Sequence, residues 1–205
     1  MGLYLLSLAA LFSVLNPLGT VPVFVSLTKG KTKKEINKIS LATAINVLII
    51  LLISFFLGKF ILVFFGISLN SLKIAGGLII ASSGFALLTG KFSQHKGMSE
   101  KVKSAAMEQD DISLTPLAIP MLAGPGTISL LITYHQEYTQ LVERGILVGT
   151  IITISILIYF ILRSSLFIVK ALGPSGINAL SRVIGFIVIA IGIEYILSTI
   201  ILLFK

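Results

Sequence analysis

Two short motifs rich in proline and glycine interrupt long apolar stretches of this chain, and they constrain its fold more than any other feature. The first motif consists of Asn16, Pro17, Leu18, Gly19 and Thr20, and the second of Ala123, Gly124, Pro125, Gly126, Thr127 and Ser129. Unpaired backbone N–H and C=O groups are too costly to face lipid, so a break at membrane depth must line a cavity enclosed by protein. Paired breaks at corresponding positions of two half-molecules indicate a transporter's substrate site.

The composition makes this chain an all-α membrane protein. Of its 205 residues, 56% are hydrophobic and 12% charged, and the mean hydropathy is +1.05. A soluble domain cannot bury that much apolar surface. At about 20 residues per span, the length suits six transmembrane helices. The apolar runs predict spans over 3–28 (broken), 41–65, 69–89, 113–135 (broken), 145–169 and 177–203, with the breaks of helices 1 and 4 near the bilayer midplane.

The basic residues indicate the orientation. The net charge is +8, and most lysines fall in the loops 29–40 and 90–112. With Arg163 and Lys170 these loops share one face of a six-span protein, which the positive-inside pattern makes cytoplasmic. We therefore expect a multi-pass protein of the plasma (inner) membrane with both termini extracytoplasmic. No nucleic-acid motif accompanies the charge, so we expect no nucleic-acid partner.

The two halves of the chain resemble each other. A shift of 107 positions places Gly19-Thr20 on Gly126-Thr127 and Thr43 on Thr150, and a two-residue slip then aligns the third spans. The pattern predicts a three-helix repeat at 1–90, a polar cytoplasmic loop at 91–112 and a second repeat at 113–205. Because each repeat has an odd number of spans, the second must be inverted relative to the first. The alternative is a duplication kept only for packing.

The broken helices offer charges of both signs at one depth. Free N–H groups at a half-helix N-terminus favour a carboxylate, and free carbonyls at a C-terminus favour an ammonium. The arrangement suits a small zwitterion as substrate. We expect Thr20 to cap the helix after the first break, and Thr127 or Ser129 the helix after the second.

Four polar residues on the second and fifth spans are further candidates. Thr43 and Asn46 match Thr150 and Thr153, and the spacing i, i+3 places each pair on one helix face. They either bond the open backbone at the breaks or join neighbouring helices. The sequence leaves both interpretations open.

Glu194 is the acidic residue that lies well inside a predicted span. An intramembrane carboxylate is a candidate for proton coupling, although Lys73 or Lys59 would alternatively neutralise it. No metal-binding cluster and no set containing a nucleophile and a base is visible, so we expect neither a metal nor an enzyme. The loop 91–112 is interpreted as a solvated linker, with a regulatory surface as the alternative.

The chain resembles the MarC/SnatA family over essentially its whole length. The resemblance rests on three segments, which are Asn16–Phe24, Ala118–Ser129 and Leu72–Gly77. It implies a transporter of small neutral amino acids such as glycine and alanine, driven by an ion gradient. It would place the substrate at the paired motifs, Asn16 to Thr20 and Gly124 to Ser129.

The leading hypothesis is therefore a secondary transporter of small neutral amino acids that works by alternating access. The alternatives are an exporter of another small metabolite and a non-transport membrane scaffold. No cofactor is expected beyond a coupling ion, H⁺ or Na⁺, and self-association is left open.

Overall fold

The chain is helical throughout the part that the computed structural model describes, residues 2–107, 109 and 111–203. No strand occurs in these ranges, which confirms the all-α prediction. The elements are α1 (Gly2–Leu15), α2 (Pro17–Leu27), α3 (Lys33–Phe65), α4 (Leu69–Leu88), α5 (Phe92–His95), α6 (Glu100–Met107), a proline segment (Ser113–Leu122), α7 (Pro125–Glu137), α8 (Leu141–Arg163) and α9 (Ser165–Leu203).

Five helical stretches in these ranges are long and apolar enough to cross a bilayer. They are Gly2–Leu27, which comprises α1 and α2, then Lys33–Phe65, Leu69–Leu88, Leu141–Arg163 and Ser175–Leu202. The proline segment and α7 meet at an angle of 68° and would together form a sixth span. Large apolar side chains cover the exterior, where Val63, Phe64 and Phe167 are each more than 70% exposed. Such a surface fits lipid and not water.

Local capping explains where several helices begin and end. Thr32 and Glu35 form a reciprocal capping box that starts α3 well before its apolar run, and Gln140 with Glu143 does the same for α8. For that reason the predicted start of the fifth span at 145 is late. α9 begins at Ser165, Gly173 within it has a non-helical conformation (φ 63°), and its membrane-crossing stretch begins at Ser175.

The helices pack in matching pairs. α1 packs against α8 and the proline segment against α3, while α2 packs against α9 and α7 against α4. α4 and α9 touch along their backbones. A Cβ added to Gly77 would lie 2.6 Å from the Gly192 carbonyl oxygen, and one on Gly84 would lie 2.7 Å from that of Gly185. Small residues allow this close approach.

The loop between the two halves, predicted as a solvated linker, contains two short helices and a few buried apolar side chains. It forms α5 and α6, and it returns apolar side chains to the interior. Phe92, Met98, Ala106 and Ile112 are all buried in the main core. Because these residues are apolar, the loop gains burial by folding against the helix bundle.

Candidate functional site

The first break is built on Asn16. This residue adopts a left-handed conformation (φ 46°, ψ 63°) between α1 and α2, a region that asparagine tolerates better than most residues. Its side-chain Oδ1 accepts a hydrogen bond from the Gly19 amide at 3.1 Å. Asn16 therefore caps α2, with Pro17 in the first helical position.

The expected role of Thr20 as that cap is wrong. Its hydroxyl donates to the Asn16 carbonyl oxygen at 3.3 Å, so Thr20 satisfies an acceptor at the break and not an amide of α2. Asn16 takes the capping position because its own carboxamide reaches the Gly19 amide. Leu18, the remaining residue of the first motif, is partly buried in α2.

Asn16 has an unused hydrogen-bond donor. The residue is fully buried, and its Nδ2 has no partner among the described residues. The carboxamide lies over Gly19, where an added Cβ would come within 2.2 Å of Nδ2. Glycine is therefore required at position 19 to accommodate Asn16. A buried donor without a partner is costly, which indicates a place for a ligand.

The second break has a different construction. Gly124 is the N-cap of α7, with φ −81° and ψ 173°, and it offers no side chain to the helix. The exposed Pro125 follows, while Ala123 and Gly126 are buried. The amides of Gly126 and Thr127 in the first turn have no acceptor among the described residues.

The predicted caps of α7 are also wrong. The Thr127 hydroxyl donates to the Leu122 carbonyl oxygen at 3.5 Å, and the Ser129 hydroxyl donates to that of Leu72 at 3.1 Å. Both side chains point away from the open amides. Ser129 instead joins α7 to α4, where an added Cβ on Gly76 would lie 2.0 Å from its hydroxyl oxygen.

The helices flanking the two breaks contact each other. α1 touches α7, and α2 touches the proline segment. A cavity of about 230 Å³ reaches the first break at Gly19. Its lining comes from α2, the end of α4, α5 and α9, and includes Pro22, Leu87, Phe92, Asn178, Ser181 and Arg182. The inter-repeat loop therefore forms part of the cavity wall through α5.

Three of the four polar candidates on α3 and α8 join neighbouring elements. Asn46 donates to Ser113 at 3.1 Å, Thr150 is 3.1 Å from Ser7, and Thr153 accepts from Tyr4 at 2.8 Å. The matching position Thr43 is different. Its hydroxyl is buried and has no partner in the described part of the chain. It is therefore a second unsatisfied polar group on the helix that packs against the proline segment.

Glu194 lies apart from the breaks. It is exposed on α9, and it makes no hydrogen bond or ion pair with a described residue. Lys73, a suggested partner, is instead bonded to Glu137 at 2.5 Å and lies 5.7 Å from the centre of the Tyr195 ring. Proton coupling through Glu194 stays a prediction.

Lys96 is the residue at the breaks that the sequence did not single out. It follows α5 and is only 8% exposed. A Cβ added to Gly124 would lie 2.8 Å from Lys96 Nζ, so the ammonium sits directly over the second break. Burial lowers the pKa of Lys96 from 10.5 to about 8. The available sequence signal was Phe92 four residues earlier, whose ring centre lies 5.6 Å from Nζ.

No group of three or more His, Cys, Asp or Glu residues that would hold a metal ion occurs in the described ranges. The polar groups gathered at the breaks are amides, carbonyls, hydroxyls, a carboxamide and one ammonium. These groups bind organic ions by hydrogen bonds and charge. The apolar exterior and the long apolar helices define a multi-pass integral membrane protein.

The chain belongs to the MarC family. A sequence profile described as "MarC family integral membrane protein" matches residues 1–204. The chain is 36% identical over 191 residues to the UPF0056 membrane protein YhcE of Escherichia coli, covering 92% of this chain and 87% of that one. It is 34% identical over 209 residues to the UPF0056 inner membrane protein MarC of Citrobacter koseri, covering 98% and 95%. No solved structure matches it.

Proposed function

We propose that this protein is a secondary transporter of small neutral amino acids such as glycine and alanine, and that it is not an enzyme. The observation that carries the proposal is the Asn16 carboxamide, which is fully buried with Nδ2 unpaired at a helix break that a cavity reaches. A fold that needed this break only for packing would gain nothing from a buried unsatisfied donor. A substrate that accepts a hydrogen bond from Asn16 Nδ2 removes the free-energy cost of leaving this donor unpaired.

The two halves are proposed to be inverted three-helix repeats, spanning 1–90 and 113–205. The packing supports this, because exchanging the halves exchanges the contacts. The α1–α8 contact becomes the contact of the proline segment with α3, and α2–α9 becomes α7–α4. Such symmetry allows each half to move relative to the other around a shared site.

The two sides of the site differ in this structure. The crevice at Gly19 holds the cavity of about 230 Å³. The corresponding crevice at Gly126 is proposed to be closed, and the contact of α7 with α4 through the Ser129–Leu72 hydrogen bond supports this. The open side borders the loop that carries the basic cluster, and by the positive-inside pattern it faces the cytoplasm. We propose that the protein alternates during transport between a state with the open crevice at Gly19 and a state with the open crevice at Gly126. Both termini are proposed to lie outside the cytoplasm.

The site is suited to a zwitterion. Free amides at the α7 N-terminus favour a carboxylate, while the Asn16 break and the proline segment carry backbone carbonyls that favour an ammonium. The non-helical conformations of Thr115 and Ile119 leave the proline segment without regular helical bonding. A larger or singly charged solute would satisfy fewer of these groups.

Counterflow in proteoliposomes tests the function without a guess about the coupling ion. Vesicles loaded with unlabelled glycine or alanine are diluted into labelled glycine. We expect transient accumulation that external alanine or serine blocks. Exchange of another solute but not of glycine would favour an exporter of a different metabolite. No exchange from a folded, monodisperse preparation, with any solute, would favour a scaffold.

Glu194 is proposed as the site of proton coupling. A pH gradient is imposed on vesicles containing the wild type or Glu194→Gln. Loss of gradient-driven accumulation with retained counterflow would support the proposal, since counterflow does not need the coupling step. Full accumulation by Glu194→Gln would show that this carboxylate does not couple transport to protons.

A further inference from the structure

Lys96 is only 8% exposed, and its ammonium lies against a helix N-terminus without an anion among the described residues. Its Nζ makes no hydrogen bond or ion pair with any residue that the structure describes, and burial is the cause of its lowered pKa. A buried charge without a partner is among the most costly features that a folded chain can hold. In native proteins such a group is paired or bound to a ligand.

The group that Lys96 faces is also positive. Gly124 begins α7, a helix of 13 residues, and supplies no side-chain acceptor. The amides of Gly126 and Thr127 point out of the first turn, and the aligned peptide dipoles place partial positive charge there. An ammonium and an open helix N-terminus repel each other unless an anion lies between them. Both donors have the chemistry that recognises a carboxylate.

The position is connected to the cavity. Phe92 lines that cavity, and its ring centre lies 5.6 Å from Lys96 Nζ. At the first break, Asn16 accepts a hydrogen bond from the Gly19 amide, so one amide of the α2 N-terminus is paired with a side chain. At the second break, no side chain of a described residue caps the N-terminus of α7.

We propose that Lys96 and the first turn of α7 form the carboxylate-binding subsite of this protein. The inference rests on the proposed function in one respect, because it identifies the anion as the carboxylate of the transported amino acid. It assigns a substrate-binding role to the loop that joins the two halves. Lys96 would then couple the conformation of that loop to carboxylate binding at the site.

Lysine variants test the assignment in the full chain. Lys96→Met removes the charge, Lys96→Arg keeps it, and Lys101→Met is the control because Lys101 is exposed in α6 of the same loop. In counterflow we expect Lys96→Met to raise the KM for glycine at least tenfold, the loss typical of a charged hydrogen bond. Lys96→Arg should stay within about threefold of the wild type, because it retains a charged donor, and Lys101→Met should be unchanged.

A second comparison uses the ligand. Glycinamide lacks the carboxylate, so the wild type should prefer glycine over it strongly, and Lys96→Met should lose that preference. An unchanged KM and an unchanged preference in folded Lys96→Met would overturn the assignment while leaving the transport function standing.

A binding measurement separates this inference from the proposed function. If the wild type exchanges no amino acid, the thermal stability of the purified protein is measured with and without acetate. Stabilisation of the wild type and Lys96→Arg, but not of Lys96→Met, would support an anion subsite in a protein that transports something else. Equal shifts in all variants, or none, would remove the subsite as well.

Discussion

The two helix breaks have similar sequences but different caps. At the first, Asn16 supplies both the left-handed turn and the cap, since its carboxamide accepts from the Gly19 amide, and its own Nδ2 donor stays unused. At the second, Gly124 supplies no cap, and the unused groups are the amides of α7 with Lys96 above them. The two matched motifs are therefore built differently around their first helical turns.

The largest difference is expected between alanine substitutions at the two matched glycines. In Gly19→Ala the new Cβ would lie 2.2 Å from Asn16 Nδ2, so the buried carboxamide must move and lose its bond to α2. In Gly126→Ala the nearest atom is Ile80 Cγ1 at 3.0 Å, and a flexible side chain gives way at low cost. We expect counterflow to be abolished by Gly19→Ala and reduced by no more than about threefold by Gly126→Ala.

Gly145→Ala is the matched control, since nothing lies within 4 Å of a Cβ at that position of α8. It should transport at the wild-type rate. Equal losses in Gly19→Ala and Gly126→Ala, measured on protein that is monodisperse in detergent, would show that the two breaks do not differ in the way described.

Asn16→Gly distinguishes the two roles of Asn16 at the first break, because it keeps the left-handed turn and removes the side chain. Glycine adopts the left-handed conformation freely, and as an N-cap it costs only a few tenths of a kcal/mol relative to asparagine. The fold should therefore be retained while the buried Nδ2 donor is lost. We expect the KM for glycine to rise about tenfold, the effect of one buried hydrogen bond. A wild-type KM would mean that the carboxamide serves only to cap α2.

The sequence predicted the helical class and the residues at both breaks, because proline, glycine and long apolar runs act locally. It did not predict which residue caps each helix. Thr20, Thr127 and Ser129 are good caps in isolation, yet Asn16 reaches the first turn of α2, and Ser129 is drawn to Leu72 by the close packing of α7 against α4. These outcomes depend on tertiary contacts.

Lys96 was missed for a related reason. A lysine in a loop among other lysines is ordinarily solvated, and nothing in its immediate neighbours except Phe92 indicates burial. Its place over Gly124 depends on how α5 folds back against the proline segment, where an added Cβ on Gly97 would lie 3.7 Å from Pro120. That is a contact between distant parts of the chain, and one sequence does not encode it in a readable pattern.

A pH profile sharpens the comparison at the second break. Because the pKa of Lys96 is about 8, its charge is present at pH 7 and mostly lost at pH 9. His95 beside it has a pKa lowered by burial, so it is neutral over this range, and the proline segment and the first turn of α7 carry no titratable side chain. The KM of the wild type should rise about tenfold over these two pH units.

Lys96→Arg supplies the reference, because arginine stays charged throughout. The amino group of glycine titrates equally in both experiments, so the ratio of the two KM values isolates Lys96. Parallel profiles for the wild type and Lys96→Arg would contradict a role for the lysine charge in binding.

The smallest expected effect is on stability, and its sign separates a binding residue from a structural one. Burial that lowers the pKa from 10.5 to about 8 corresponds to a cost of about 3 kcal/mol for the charged form. Lys96→Met removes this cost, so its thermal unfolding in detergent at pH 7 should occur several degrees above that of the wild type. Between pH 8 and 10.5 the unfolded wild type binds more protons than the folded one, so wild-type stability rises with pH and the advantage of methionine shrinks.

Lys101→Met should show neither effect. The contrary result is that Lys96→Met unfolds at a lower temperature than the wild type, both at pH 7 and between pH 8 and 10.5. The lysine would then stabilise the fold, and its place over Gly124 would need no ligand. A variant that is more stable yet binds glycine poorly would have the opposite meaning. Lys96 would then be kept at a cost to the fold, as expected of a group whose partner arrives only with the substrate.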